Sequence, residues 1–141
     1  MPRVTFSIPS RAEAVRWACL AVRGIMEGID LDDEGRYYVE LAMSEAATNI
    51  VRHAYGNSPD QVIGLVVSVE EDRLVVEMSD TGVPLDPVRV EEASLPPWDA
   101  LREDQGGRGL FLIRQLMDEV KVERRDGRNV LTLTKRHRGR K

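Results

Sequence analysis

The chain has 141 residues, of which 42% are hydrophobic and 31% are charged, and this balance is typical of one soluble globular domain. No apolar run is long enough to span a bilayer, and the first residues lack the apolar stretch of a signal peptide. One cysteine and two histidines exclude a disulfide framework and a zinc site built from these residues, so we expect a cytoplasmic protein.

The charge is distributed unevenly along the chain. Twenty basic and 24 acidic residues give a net charge of −4, and five of the basic residues lie among residues 135–141. The rest of the chain therefore carries a net charge of −9, which argues against direct nucleic-acid binding. We interpret residues 136–141 as a solvated basic tail that follows a single domain spanning residues 1–135.

The chain begins with a predicted strand and helix. Residues 4–8 alternate apolar and polar side chains, which indicates a strand that ends at Pro9. Ser10 and Glu13 have the spacing of a capping box, so we expect a helix that begins there and ends at Gly28. Five residues form its predicted apolar stripe: Ala14, Trp17, Ala18, Ala21 and Ile25.

A longer helix and two strands are predicted next. The helix is expected to begin near Asp32 or Asp33 and to end at Tyr55, before a glycine. Residues 62–70 and 74–80 then predict two strands joined by a tight turn.

The last third of the chain combines a long loop, a helix and a hairpin. Residues 81–105 lack periodicity and predict a loop, and the glycine-rich residues 106–109 introduce a helix. Residues 119–124 and 129–135 predict a hairpin with its turn at residues 126–127. The whole order predicts an α+β two-layer sandwich, in which a largely antiparallel mixed sheet carries the helices on one face.

Two polar residues lie on or beside the apolar face of the second helix. Glu45 and Asn49 are one turn apart and project in the same direction. At 100° per residue, four further residues share this arc: Tyr38, Leu41, Ala42 and Ala46. One interpretation places Glu45 and Asn49 at the edge of a rotated stripe. The other is a functional site, because an amide oxygen suits Mg²⁺ and a carboxylate suits a general base.

Two glycine-containing segments also have a structural and a functional interpretation. Asp80 and Gly82 lie at the end of a predicted strand, where they form either a common turn or a site in which the carboxylate binds an amino group and the glycine lets a ligand approach the backbone. Residues 106–109 either end a flexible loop or present bare helix N-terminal amides to an anion. No Gly-Lys-Ser/Thr follows these glycines, so they are not a P-loop.

Together these features resemble the GHKL ATPase superfamily, and in particular its stand-alone anti-sigma-factor serine/threonine kinases. Residues 40–55 (ELAMSEAATNIVRHAY) are similar to the asparagine-box helix of that branch. Residues 106–113 (GGRGLFLI), followed by 117–120 (MDEV), are similar to its second glycine box. The resemblance extends over residues 4–135 and implies the Bergerat, or histidine-kinase-like ATPase, fold.

The resemblance implies a role for each matching residue. Asn49 would coordinate the Mg²⁺ that bridges the phosphates of ATP, and Glu45 would be the catalytic base. Asp80 would bind the adenine amino group, and Gly82 would give the purine room. The phosphates would be held by five consecutive residues: Gly106, Gly107, Arg108, Gly109 and Leu110. Within the loop, residues 94–106 would form a mobile ATP lid.

The chain also departs from the family pattern. Pro84 stands where the first glycine box often has a second glycine, and Gln105 stands where many relatives carry an arginine. Arg108 either takes the place of that arginine on the γ-phosphate or faces solvent. Arg128 and Asn129 replace a Gly-Thr pair, so the usual role of the threonine beside adenine is left unassigned.

The function implied by the resemblance is an ATP-dependent anti-sigma-factor serine/threonine kinase. It would phosphorylate a STAS-type anti-sigma-factor antagonist and sequester a sigma factor, and a homodimer is compatible with it. An alternative is an ATP-binding regulatory module with little or no phosphotransfer. The ATP-binding half of a histidine kinase fits less well, because no helix pair with a phosphorylatable histidine precedes the fold in this sequence.

Overall fold

The structure, a computed structural model, describes residues 2–84 and 107–141. The elements in these ranges are β1 (Arg3–Pro9), α1 (Ala12–Met26), α2 (Asp33–Asn49) with a π-helical turn (Ile50–Ala54), β2 (Val62–Val69), β3 (Arg73–Asp80), α3 (Gly107–Leu116), β4 (Glu119–Arg125) and β5 (Arg128–Arg136). This confirms the predicted order of strands and helices. The predicted lid, residues 94–106, lies outside the described residues.

The five strands form one sheet in the order β1-β2-β3-β5-β4, and all four neighbouring pairs are antiparallel. The described strands therefore contain none of the parallel pairing that a mixed sheet would have. Alternate residues of β3 are buried, and they join the buried faces of the three helices in one core. This confirms the predicted α+β sandwich. None of the helices in the described ranges has the length and apolarity that crossing a membrane requires.

The predicted capping box at the start of α1 is wrong. Arg11 occupies the N-cap position of this helix and makes no capping hydrogen bond through its side chain. Ser10 is buried, and its hydroxyl donates to the carbonyl of Ser58 at 2.5 Å. The same oxygen accepts a hydrogen bond from the backbone N–H of Gln61 at 3.2 Å. The Ser10 hydroxyl therefore bonds a distant loop and not the first turn of α1, which the capping-box pattern had predicted.

The predicted apolar stripe of α1 is only partly correct. Ala14 and Ala18 of that stripe are buried, but Trp17 has 64% of its surface exposed, and Val15, Val22 and Met26 are buried instead. The helix carries two overlapping apolar stripes, and both have helical spacing. Contact with α2 and the sheet selects one stripe and leaves the indole of Trp17 in solvent.

The predicted start and end of the second helix are confirmed. Asp32 caps α2, and its Oδ1 accepts a hydrogen bond from the N–H of Gly35 at 2.7 Å. At the other end the helix widens into the π-helical turn, where the N–H of Tyr55 bonds the carbonyl of Ile50 at 2.9 Å. Gly56 follows with a φ of +56°, which favours glycine and ends the helix.

Residues 136–141 do not form the solvated tail that the charge pattern predicts. Arg138 and Lys141 donate their N–H groups to the carbonyls of Asp30 and Gly28, each at 2.9 Å. His137 is buried, and its Nε2 lies 3.0 Å from the carbonyl oxygen of Glu70. The bonds that hold this segment are made largely by the backbone, and for that reason the basic composition did not predict them.

His137 tests whether this C-terminal segment stabilises the domain. Its Nδ1 accepts a hydrogen bond from the N–H of Gly139 at 2.9 Å, so the ring joins two parts of the chain. His137→Ala removes both bonds and the buried ring, and we expect the free energy of unfolding to fall by about 2 kcal/mol. Arg138→Gln, at an exposed neighbour, is the control and should change it by less than about 0.5 kcal/mol. Urea denaturation measures the free energy of unfolding of both variants. Equal losses in the two variants would contradict the interpretation that His137 holds the C-terminal segment on the domain.

Candidate functional site

The ends of four elements meet at one end of the domain. Glu45 and Asn49 lie near the C-terminal end of α2, and Asp80 is the last residue of β3. Gly109 lies in the first turn of α3, and Asn129 is at the start of β5. Because β3 and β5 are antiparallel, the end of one strand lies beside the start of the other, and Asp80 pairs with Asn129. The fold therefore brings together polar residues that are far apart in the sequence.

The side chain of Asn49 lies against the first turn of α3. A Cβ atom on Gly109 would be 2.5 Å from Asn49 Nδ2 and 3.1 Å from Oδ1, so only glycine leaves room for the amide. Glu45 is one turn earlier on the same face of α2, and its side chain is partly exposed. An amide and a carboxylate thus stand side by side next to a helix N-terminus.

The first turn of α3 supplies backbone donors. The first four N–H groups of a helix have no intrahelical acceptor, and the helix dipole makes this end positive. In α3 these groups belong to Gly107, Arg108, Gly109 and Leu110, and for the first two only the helical backbone is described. The side chain of Leu110 is buried in the core, so only its backbone can face a ligand. Gly106 lies outside the described residues.

Asp80 is a buried carboxylate. It is 6% exposed, and its Oδ1 accepts hydrogen bonds from the N–H of Gly82 at 2.9 Å and from Asn129 Nδ2 at 2.8 Å. Burial raises the pKa of Asp80 above its ordinary value, and the two hydrogen bonds and the charge of Arg124 act in the opposite direction. A buried carboxylate of this kind is suited to accept a hydrogen bond from an amino group.

The chain that leaves β3 packs directly on the end of the second helix. A Cβ on Gly82 would lie 2.6 Å from the carbonyl carbon of Ala54, so glycine is required for this close approach. The N–H of Val83 donates to the carbonyl of Ala54 at 3.0 Å. The hydroxyl of Tyr55 accepts a hydrogen bond from the N–H of Thr81 at 2.9 Å. These contacts hold residues 81–83 in place next to Asp80.

Sequence reasoning missed Asn129 and Tyr55. Asn129 is buried on the helix side of β5, the side to which Leu131 and Leu133 also point. A polar residue in register with two buried leucines is the signal that could have indicated it. The contacts of Tyr55 join three separate segments, and no local pattern indicates them.

The described residues do not include a cluster of three or more acidic, histidine or cysteine side chains that could hold a metal ion. The amide oxygen of Asn49 is a hard donor of the kind that Mg²⁺ takes in phosphate-binding sites, where waters and phosphate oxygens complete the shell. The donor chemistry fits the predicted ion.

Alanine substitutions at Gly82, which is crowded, and at Gly24, which has open space around it, test the packing at Gly82. Gly82→Ala drives a methyl group into the backbone of Ala54, and we expect it to reduce the free energy of unfolding by about 2 kcal/mol. Gly24→Ala in α1 is the control, because nothing lies within 4 Å of its Cβ position. It should stabilise the helix by about 0.5–1 kcal/mol. Chemical denaturation distinguishes them, and a neutral Gly82→Ala would contradict the steric requirement.

Comparison with known proteins matches nearly the whole chain. The family model for histidine kinase-like ATPase domains matches residues 8–135. Serine-protein kinase RsbW of Listeria monocytogenes serovar 1/2a is 32% identical over 133 residues, which cover 92% of this chain and 84% of the relative. Serine-protein kinase RsbW of Oceanobacillus iheyensis is 32% identical over 129 residues, which cover 88% of this chain and 80% of the relative.

Two solved structures share the fold. One contains the RsbU and RsbW domains of a Mycobacterium tuberculosis protein, with a TM-score of 0.66 and 18% identity over 100% of this chain and 33% of that one. The other is the SiaB–SiaC complex of Pseudomonas aeruginosa, with a TM-score of 0.64 and 16% identity over 94% of this chain and 89% of that one. By these matches of sequence and fold, the chain belongs to the histidine kinase-like ATPase domain family and, within it, to the serine-protein kinases of the RsbW type.

Proposed function

We propose that this chain is a cytoplasmic, ATP-dependent kinase that phosphorylates a serine or threonine of a STAS-type anti-sigma-factor antagonist and also sequesters a sigma factor. The observation that carries the proposal is the packing of Asn49 against Gly109, one helical turn from Glu45. This packing supports a site in which the amide oxygen of Asn49 would face the N-terminal amides of α3, with Glu45 one helical turn away. Phosphoryl transfer needs positioning and charge neutralisation of this kind more than it needs covalent chemistry.

The two sides of the site would bind the two ends of the nucleotide. The carboxylate of Asp80 would accept a hydrogen bond from the adenine amino group, and the neighbouring Gly82 would leave room for the purine. The N–H groups of residues 106–110 would hold the phosphates at the positive end of the α3 dipole.

Asn49 and Glu45 would have different tasks. Asn49 Oδ1 would hold Mg²⁺, which when bound neutralises phosphate charge and orients the phosphates. Glu45 would take the proton of the acceptor hydroxyl as that oxygen receives the phosphoryl group. The partly exposed position of Glu45 supports this role, since a protein acceptor must reach it from outside.

Exposed apolar side chains on α1 and α2 favour the binding of a protein partner. Trp17 and Leu20 of α1 and Tyr37 of α2 are 64%, 40% and 59% exposed. Leu20 and Tyr37 line a groove between the two helices. Large apolar side chains that are grouped in solvent are typical of protein interaction surfaces. A kinase that both modifies one protein and holds another needs such a surface.

Glu45→Gln and Asn49→Ala separate catalysis from binding. Glu45→Gln should reduce phosphotransfer by about 10²–10⁴-fold and leave the Kd of Mg-ATP within about threefold, because the base acts on the acceptor. Asn49→Ala should impair both, because it removes the oxygen that holds the ion. Glu40→Gln is the control and should affect neither, since Glu40 lies on α2 like Glu45 but pairs with Arg23 of α1 at 2.6 Å.

These variants are measured by titration calorimetry with ATP, with and without Mg²⁺, and by transfer of labelled phosphate to STAS-domain proteins from the same genome. Full transfer by Glu45→Gln would show that the base is another residue. Binding of Mg-ATP by the wild type without transfer to any of these proteins would favour the regulatory binding module. Failure to bind ATP at millimolar concentration would refute the proposed function.

Asp80→Asn should stabilise the folded protein at pH 7 and weaken its binding of ATP. Burial raises the pKa of Asp80, so the folded protein holds that proton more tightly than the unfolded chain does. The stability that this group contributes is present at acid pH and is lost as the pH rises above the ordinary carboxyl value of 3.8. Asp80→Asn should therefore melt above the wild type at pH 7, and the difference should narrow as the pH falls.

The same variant should bind ATP about tenfold or more weakly, because a charged acceptor becomes a neutral one. Thermal melts from pH 4 to pH 8 and calorimetry measure the two effects. A variant that melts below the wild type at pH 7 would show that the ionised carboxylate stabilises the fold.

A further inference from the structure

We infer that Asn129 is a positioning residue that orients the Asp80 carboxylate and so determines the selectivity of the site for a 6-amino purine. The inference rests on the proposed function, because it takes Asp80 as the group that meets the base. The family resemblance left this position without a role, since Asn129 stands where relatives often have a threonine.

Both N–H donors of the Asn129 amide are used within the protein, and the side chain is buried, with 5% of its surface exposed. Its Nδ2 donates to Asp80 Oδ1 at 2.8 Å and to the carbonyl of Val83 at 2.9 Å. A primary amide has two N–H donors, so both are used. Its Oδ1 accepts a hydrogen bond from Arg124 Nη1 at 3.0 Å, and Arg124 Nη2 is held by the carbonyl of Gly127 at 3.2 Å. Asn129 therefore acts on a ligand through Asp80 and not by contact.

These bonds leave one oxygen of Asp80 for a ligand. Oδ1 accepts from both Gly82 and Asn129, whereas Oδ2 has no hydrogen-bond donor among residues 2–84 and 107–141. One donor comes from the chain two residues ahead and the other from the neighbouring strand, so the plane of the carboxylate is held from two sides. The free oxygen then has a set direction in which it can accept a hydrogen bond.

Asn129 also favours the ionised form of that oxygen. Burial opposes the charge of Asp80, and the hydrogen bond from Asn129 is the first of the interactions that offset it. An ionised carboxylate accepts a hydrogen bond from the 6-amino group of adenine and repels the 6-keto oxygen of hypoxanthine or guanine. Without Asn129 the carboxylate is freer to rotate and to take up a proton, and both changes reduce this discrimination.

Nucleotide analogues that differ only at position 6 test the inference. The Kd values of ATP, purine riboside triphosphate (hydrogen at position 6) and inosine triphosphate (keto oxygen) are compared by calorimetry for the wild type and Asn129→Leu. The wild type should prefer ATP by about tenfold or more over either analogue. In Asn129→Leu the preference should fall below about threefold, because the discriminating oxygen is no longer held.

Two adjacent arginines provide a matched pair. Arg124→Met removes the guanidinium that bonds Asn129 and should reduce the preference for ATP by about twofold or more. Arg125→Met is the control, since Arg125 pairs with Glu77 instead and its loss should leave the preference unchanged. Arg124→Met also keeps the test valid if Asn129→Leu fails to fold, which circular dichroism reports.

The outcomes separate this inference from the proposed function. If Asn129→Leu weakens all three nucleotides equally and keeps the wild-type preference, Asn129 is only structural and the inference is wrong. An unchanged preference in Arg124→Met, when Asn129→Leu is unfolded, overturns it as well. If the wild type itself binds the three nucleotides equally, Asp80 does not read position 6, and the base recognition in the proposed function is wrong.

Discussion

The buried carboxylate of Asp80 is the constraint on which the site depends. A charge at the end of a central strand is costly, and here a backbone N–H of Gly82 and the amide of Asn129 offset that cost. The second donor is available only because β3 and β5 pair in one register. A slip of β5 by one residue would bring Arg128 or Val130 opposite Asp80 and would turn the strand over. The sheet and the site are therefore specified by the same pairing.

Two glycines of the site set distances between elements. Gly82 and Gly109 are not among the described glycines with positive φ, so their backbones would accept other residues. What they provide is the absence of a Cβ where Ala54 and Asn49 approach. The hairpin glycine Gly127 is different, because its φ of +77° is the conformation that favours glycine. Gly109 therefore has two functions: it lets the side chain of Asn49 pack closely, and it contributes a backbone N–H to the first turn of α3.

The two ends of the domain have different roles. One end carries the ends of α2 and β3 and is open to a ligand. At the other end, where β3 begins, the C-terminal segment crosses the α1–α2 connection, and the backbone N–H of His137 donates to the carbonyl of Asp72 at 2.9 Å. Backbone bonds thus close the end of the sheet that binds nothing in the proposed function. The basic side chains of the segment remain on the surface of the domain.

The amino-acid sequence alone was enough to predict the order of the elements, the caps of α2, the hairpin turn and, through the family resemblance, the candidate residues Glu45, Asn49 and Asp80. These features depend on neighbours within a few residues, where periodicity and turn chemistry act directly. Three-dimensional packing was needed to show which apolar residues of α1 are buried, that Ser10 bonds a distant loop, and that Asn129 bonds Asp80. Each of these depends on residues between 48 and 51 positions apart or on a choice between two overlapping apolar stripes of one helix, and no local pattern contains that information.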